Sequence, residues 1–401
     1  MLELEEARDR ILAAVPEPAG EKIPVRQACG RILLERVAAG LDLPPFNNSS
    51  VDGFALRAAD TAQAAPASPV RLKLAGRIAA GQAPAGELQP GGCIRLFTGS
   101  HLPAGADAVV MQEDTRIDPA RPGEIQVLSA VQLWENVRFR GEDVQRGALI
   151  LEAGEILTAG RLTLLAATGM AEVTVGRRPA VGLVATGSEL REPGEPLSPG
   201  QIYECNRTGL APLIESAGGC VKTYPIVPDA LDTTRAALER SLGECDFLVT
   251  CGGVSVGELD FIKTALERLK VELQFWKVSI KPGRPFVFGR CAGKCLFGLP
   301  GNPVSAFVTF LLLVRPALLR FSGAAQTALP SSPGVLAEPL QNGGSRRHFM
   351  RVLMDPAGRV RSAGLQAAHV LSSFASANGL VDVPPRATLP AGAPVTVLRW
   401  E

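Results

Sequence analysis

One stretch restricts this chain more than any other: Asp246-Phe-Leu-Val-Thr-Cys-Gly-Gly-Val-Ser-Val-Gly-Glu-Leu-Asp260. Its short apolar run reads as a buried strand that stops at Gly252-Gly253. Residues 260–269 then carry a helical pattern, with Phe261, Ile262, Ala265, Leu266 and Leu269 on one face. Strand, glycine-rich turn and helix start is the arrangement in which free backbone N–H groups and the positive end of a helix dipole meet an anion. Glu258 and Asp260 sit in the same turn. Carboxylates repel an anion unless a divalent cation or a proton mediates, so the stretch points to phosphate together with a metal.

The same grammar recurs from Ala180 onward. Ala180–Ala185 reads as a strand that breaks at Thr186-Gly187-Ser188-Glu189, and a helix follows at about 206–217. A strand covers 221–227, and Asp229 is placed to cap a helix over 230–242. Strand-like segments follow at 271–278, 286–288 and 295–297. The turn Gly298-Leu-Pro300-Gly301-Asn-Pro303-Val-Ser305 then opens an apolar helix through Arg320. Alternating strands and helices predict a doubly wound parallel sheet, whose ligands bind at the carboxyl ends of the strands. Three glycine-containing turns at those ends predict a phosphate or nucleotide site. None fits G-x-G-x-x-G or G-x-x-x-x-G-K-[ST], which disfavours a nicotinamide dehydrogenase and a P-loop ATPase.

Lys277 and Lys281, four apart on what reads as one extended strand, are expected to share a face and contact phosphate. Glu189, Asp229, Glu258 and Asp260 lie near strand ends, and such carboxylates suit Mg²⁺ rather than zinc. Zinc is disfavoured on other grounds too: the chain has three histidines, none in these loops, and eight cysteines with no C-x-x-C. The scattered cysteines read as reduced thiols of a cytoplasmic protein. A formal net charge of +1 over 401 residues gives no global field for nucleic acid or an acidic membrane. The longest apolar run, Ala306 to Val314, is too short to span a bilayer.

The rest of the chain reads differently. Residues 3–15 form an amphipathic helix ended by Pro16, and Pro44-Pro45-Phe46-Asn-Asn-Ser-Ser-Val-Asp52-Gly53 is an ordered loop. Residues 70–175 show short β-like runs, one of them ending on Thr98-Gly99-Ser100. The tail after about 334 reads as a small β domain.

Together these blocks resemble the MoeA family of molybdopterin molybdenumtransferases, whose animal counterpart is the C-terminal part of gephyrin. The resemblance is carried by Pro44–Gly53, Thr98-Gly99 with Pro103-Ala-Gly105-Ala-Asp107, Asn136-Val-Arg138-Phe-Arg140-Gly-Glu142-Asp143 and Thr186-Gly-Ser-Glu189-Leu. To these add Gly252–Asp260, Lys281-Pro-Gly-Arg-Pro and Gly298–Ser305. It implies a multidomain α/β plus β fold: a molybdopterin-binding α/β domain over 1–22 and 177–322, and a linking domain over 23–44 and 146–176. An inserted β-rich domain would span 45–145, and a β-barrel-like domain 323–401.

The implied reaction is insertion of molybdate into adenylyl-molybdopterin with release of AMP, assisted by Mg²⁺ or another divalent cation. In that light Thr186, Gly187, Ser188, Gly252, Gly253, Ser255, Gly257, Pro300, Gly301, Pro303 and Ser305 are expected to bind the substrate, and Lys277 and Lys281 to neutralise it. Glu189, Asp229 and Asp260 would be metal or catalytic carboxylates. The family is a homodimer whose site is shared, so Asp52, Thr98, Arg138 and Asp143 would complete the site from the other subunit. An adenylating partner would supply the substrate. Departures from the family pattern include Asn47, Val51, Phe54, Ser188 and Ala367-Ala368. The alternatives are a non-catalytic scaffold of the gephyrin kind, or a molybdopterin-binding or amidase-type relative sharing only the α/β domain.

Overall fold

The computed structural model describes residues 1–253 and 261–400. Its α/β unit is a six-stranded sheet made of β1 (Ala180–Ala185), β2 (Cys220–Thr223), β3 (Phe247–Cys251), β4 (Glu272–Lys277), β5 (Pro285–Cys291) and β6 (Lys294–Leu299). The spatial order is β2-β1-β3-β6-β5-β4. The first four strands run parallel, and β5 and β4 are antiparallel to their neighbours. The sheet is therefore mixed rather than wholly parallel, because 272–291 folds back as a hairpin on one edge.

Alternation along the strands explains the two cores. Val181, Leu183 and Ala185 of β1, with Phe247, Val249 and Cys251 of β3, face one side. There they meet α1 (Leu4–Ala14), α2 (Asn206–Ser216) and the helix that begins at Pro303. Val184, Leu248, Leu296 and Val287 face the other side, against α3 (Leu231–Glu244) and α4 (Phe261–Arg268). Strands buried on both faces read as continuous apolar runs, which is why they were legible in the sequence. The helix expected through Arg320 runs from Pro303 to Phe321, with a π-helical turn at Phe310–Val314. Its 19 residues are long and apolar enough for a bilayer by length and composition, yet the apolar stretch is 89% buried inside the protein.

Upstream, Gly20–Pro24 pairs with Glu172–Gly176 and Val37–Ala38 with Leu149–Leu151. Leu33, Leu157, Leu165 and Val175 form the core of this linking region. The chain enters it, leaves for a separate six-stranded sheet cored by Phe54, Leu72 and Ile125, and returns. At the other end, Arg347–Met354 pairs with both Arg359–Ser362 and Gly379–Val383, so the C-terminal sheet closes on itself through Ser331–Leu336 and Pro394–Arg399. Ile280–Lys281 adds to this barrel rather than to the α/β sheet, pairing parallel with Arg347–His348. That contact brings the barrel to the rim where the parallel strands end.

Candidate functional site

The carboxyl ends of β1, β3 and β6 are neighbours, so the turns that follow them converge. Thr186, Gly187, Glu189, Asp229, Gly252, Gly253, Pro300, Gly301 and Pro303 all line one cleft of about 720 Å³. Glycine is required in its floor. Gly252 and Gly253 have φ of +88° and +65°, and added Cβ atoms would lie 2.7 Å from the Thr186 carbonyl and 2.4 Å from Ile262 Cγ1. Among the described residues, Thr186 Oγ1 and Asn206 Oδ1 are buried with no hydrogen-bond partner, while Asn206 Nδ2 donates to the Gly301 carbonyl at 2.9 Å. Orphaned polar atoms in a cleft are groups that a bound ligand can satisfy.

Asp229 does not cap α3. That helix starts after Ala230 with no side-chain cap, and Asp229 turns back to the rim. The Ser188 N–H donates to Asp229 Oδ2 at 3.0 Å, and the Asp229 N–H donates to Ser188 Oγ at 2.9 Å. The Glu189 carboxylate folds over Gly187, where a Cβ would meet Oε2 at 2.6 Å. Two carboxylates thus lie against one turn. Among the described residues no three His, Cys, Asp or Glu side chains gather into a metal cluster. Mg²⁺ needs only one or two protein carboxylates when substrate phosphate supplies further oxygens, so Glu189 and Asp229 fit it. Ser255, Gly257 and Asp260 lie outside the described residues.

A second cavity, of about 660 Å³, adjoins the first at Pro285, which lines both. Lys281, Arg284 and Ser305 come to it from the α/β unit, and Arg346, His348 and Gln366 from the barrel. Arg346 donates to the Ile280 carbonyl at 2.6 Å, fastening the barrel beside Lys281. Burial, reinforced by Arg284, pushes the Arg346 guanidinium below its ordinary pKa. Lys277 does not share this cavity. The expected single strand is broken: Lys277 closes β4 in the α/β sheet, whereas Lys281 pairs in the barrel.

Asp52, Thr98, Arg138 and Asp143 line neither cavity. Thr98 donates its N–H (2.7 Å) and its hydroxyl (2.8 Å) to Asp52 Oδ1, and these bonds, with Arg95 nearby, hold the Asp52 carboxyl below the usual range. Arg138 pairs with Asn48 in a two-residue ladder, and the Asp143 N–H donates to the Leu43 carbonyl. The four belong to the β-rich unit and its junction.

Sequence reasoning assigned no site role to the histidines. His369 reaches the main cleft and His348 the second cavity, both from the tail. No local pattern marks His348, whose placement depends on how the barrel docks, whereas the family resemblance reaches His369 through the block Gln366-Ala367-Ala368-His369 without giving it a role. Beside the cleft, Arg207 forms a buried pair with Glu204 at 2.9 Å and also bonds the Tyr224 carbonyl at 2.6 Å and Glu192 at 2.7 Å.

A two-faced α/β sheet with three glycine- or proline-marked turns on one rim, an inserted β unit and a closed barrel that reaches the rim define a multidomain protein with its main cleft at the carboxyl ends of the parallel strands. The chain belongs to the MoeA family. Its residues 2–169 match the MoeA N-terminal region (domain I and II), 182–320 a probable molybdopterin binding domain, and 333–400 the MoeA C-terminal region (domain IV). A Haemophilus influenzae protein named molybdopterin molybdenumtransferase is 36% identical over 404 residues, covering 99% of this chain and 98% of that one. Molybdopterin molybdenumtransferase 2 of Mycobacterium tuberculosis is 39% identical over 368 residues, 90% of each chain. A Pyrococcus horikoshii molybdopterin biosynthesis moeA protein superposes with a TM-score of 0.84 at 32% identity, with 100% of both chains covered.

Proposed function

We propose that this chain is a molybdopterin molybdenumtransferase of molybdenum cofactor biosynthesis, taking adenylyl-molybdopterin and molybdate to the molybdenum-loaded cofactor and AMP. The observation that carries the reading is the junction of two sites at Pro285: a cleft of phosphate-type turns, and a cavity rich in Lys and Arg suited to a small oxyanion.

In this reading the N–H groups of Gly301 and Asn302 face the pyrophosphate of the adenylate, because those of Thr186, Gly187, Ser188 and Gly252 are engaged by the Cys251 and Val227 carbonyls, Asp229 and the Leu299 carbonyl. Lys281, Arg284 and Arg346 hold molybdate next to it, so that oxyanion and adenylate meet without diffusion. A molybdate oxygen attacks the molybdopterin-side phosphorus of the anhydride, the bridging P–O bond breaks and AMP leaves with the bridging oxygen. The two dithiolene sulfurs then bond molybdenum(VI), which gives up the oxygen now held by phosphorus. The thiol protons pass to water, with no change of oxidation state. Glu189 and Asp229 hold Mg²⁺, with Asp260 proposed from the sequence as a further carboxylate. When bound, the cation offsets phosphate charge and polarises the anhydride.

The working form we propose is a homodimer. Asp52, Thr98, Arg138 and Asp143 then complete the partner's cleft, which accounts for a preformed Asp52–Thr98 pair that lines neither cavity of its own chain. An adenylating enzyme supplies the substrate. The eight unpaired cysteines support a reducing, cytoplasmic setting. A non-catalytic scaffold is disfavoured, because the Haemophilus and Mycobacterium relatives are named as transferases over nearly the whole chain.

The test is molybdate-dependent consumption of adenylyl-molybdopterin with AMP release by the purified protein. Asp229→Asn and Asp260→Asn should abolish turnover in folded protein. Substrate left intact by the wild type in the presence of molybdate and Mg²⁺ would favour the scaffold.

A further inference from the structure

Beside Lys281, on the wall of the second cavity, lies a residue that the proposed chemistry has not used. His348 is 3% exposed, and its Nε2 is buried with no hydrogen-bond partner among the described residues. A buried polar atom left unsatisfied costs on the order of 1–3 kcal/mol, and native structures keep few of them. Here the ring also lines a cavity of about 660 Å³. The barrel fixes its position on both sides. The strand Arg347–Met354 pairs with Ile280–Lys281 in parallel, with Lys281 and His348 as register partners, and with Gly379–Val383 in antiparallel, with His348 opposite Val383. Register partners on adjacent strands project to the same face, so the imidazole and the lysine stem are neighbours.

We propose that His348 is a specificity-determining residue of the second cavity, supplying one directed N–H donor to a tetrahedral oxyanion that Lys281, Arg284 and Arg346 attract by charge. This rests on the reading of that cavity as the molybdate site. Burial keeps the imidazole uncharged at neutral pH, helped by the positive charges of Lys281, Arg351 and Arg346. A lysine or arginine at this place would add another charge and attract any anion. A neutral ring adds direction instead, favouring a ligand with an oxygen at one fixed position. The Arg351 guanidinium, on the same strand, is tied to the Leu365 and Ala367 carbonyls. Arg347, between His348 and Arg346, is tied to Glu5 and Asp382.

The competing reading is a core histidine that merely fills space, and binding measurements separate the two. Molybdate and AMP are titrated separately by calorimetry into the full-length wild type and the variants His348→Ala, His348→Gln and Lys281→Ala. Loss of one directed hydrogen bond should weaken molybdate about 10-fold in His348→Ala, about 1.4 kcal/mol. His348→Gln, which keeps an amide N–H donor in a polar side chain, should bind within about 3-fold of wild type. AMP affinity should be unchanged in both. Wild-type molybdate affinity in His348→Ala, or equal loss in the Ala and Gln variants, would overturn the role of His348. Failure of Lys281→Ala to weaken molybdate, or no molybdate binding by the wild type, would overturn the reading of the cavity itself, and with it this inference. If His348→Ala does not fold, the Gln variant decides: a loss of about 10-fold or more rejects the donor role.

Discussion

Ser188 and Asp229, 41 residues apart in the chain, exchange hydrogen bonds across the rim of the main cleft, each giving its backbone N–H to the other's side-chain oxygen. This reciprocal pair fastens the loop after β2 to the turn after β1. It also explains why Asp229 abandons the helix-capping role that its position suggests. A carboxylate held by a neighbouring backbone donor is fixed in orientation, which is what a Mg²⁺ ligand needs.

Ser188→Ala removes one half of the exchange and leaves the Asp229 N–H without its partner. Unfolding stability should fall by about 1 kcal/mol. Because Asp229 is then held on one side only, the Mg²⁺ concentration for half-maximal turnover should rise, with a smaller effect on turnover at saturating Mg²⁺. Denaturant titration and a Mg²⁺ dependence of AMP release measure the two effects. An unchanged Mg²⁺ dependence would mean that the Ser188 N–H, which the substitution leaves in place, orients the Asp229 carboxylate by itself.

Arg207 and Glu204 form a buried ion pair under the same cleft, with side chains 7% and 2% exposed. Truncation in Arg207→Ala leaves Glu204 charged and uncompensated in the interior, which should cost about 3–5 kcal/mol. Arg207→Lys should recover only part of this, since a lysine cannot reach Glu204, Glu192 and the Tyr224 carbonyl together. Urea unfolding of the two variants checks the order. Equal stability of wild type and Arg207→Ala would mean that water reaches Glu204.

How legible was this molecule before its structure? The strands Ala180–Ala185 and Phe247–Cys251 were readable because both faces are buried, so neither is interrupted by polar residues. The turns at Thr186 and Pro300 were readable because glycine and proline mark them. Lys277 and Lys281 misled, since nothing in the sequence shows a strand leaving one sheet for another between them. His348 was invisible for a related reason: it reaches its cavity only through the docking of the C-terminal barrel, a contact more than sixty residues away in sequence from Lys281. His369 stood in a family-like block whose place beside the cleft the sequence does not show. Local patterns report local burial, whereas a site assembled between domains depends on contacts that carry no local period.

The ionisation of His348 predicts a pH signature. Burial first, then Lys281, Arg351 and Arg346, push its pKa from 6.5 down to about 4. The unfolded chain therefore binds a proton below about 6.5 that the folded chain refuses until about 4. Stability supplied by this residue is complete above the unfolded value and declines as pH falls through that window. His348→Gln has no such proton to bind, so its stability should fall less than that of wild type between pH 6.5 and 4. Parallel pH-dependent declines in the two proteins would show that His348 titrates normally in the fold.

A shared site makes a sharper demand than any single substitution. If Asp52 serves the partner's cleft and Asp229 its own, Asp52→Asn and Asp229→Asn inactivate the same site from opposite subunits. Mixed and reassembled in equal amounts, half of the dimers carry one of each chain. In such a dimer one cleft holds both lesions and the other holds none. Activity should therefore return to about a quarter of wild type, from two preparations that are each inactive. If Asp52 instead served the cleft of its own chain, every cleft in the mixture would carry one lesion and nothing would return. AMP release after co-refolding, with each variant alone as control, distinguishes the two arrangements.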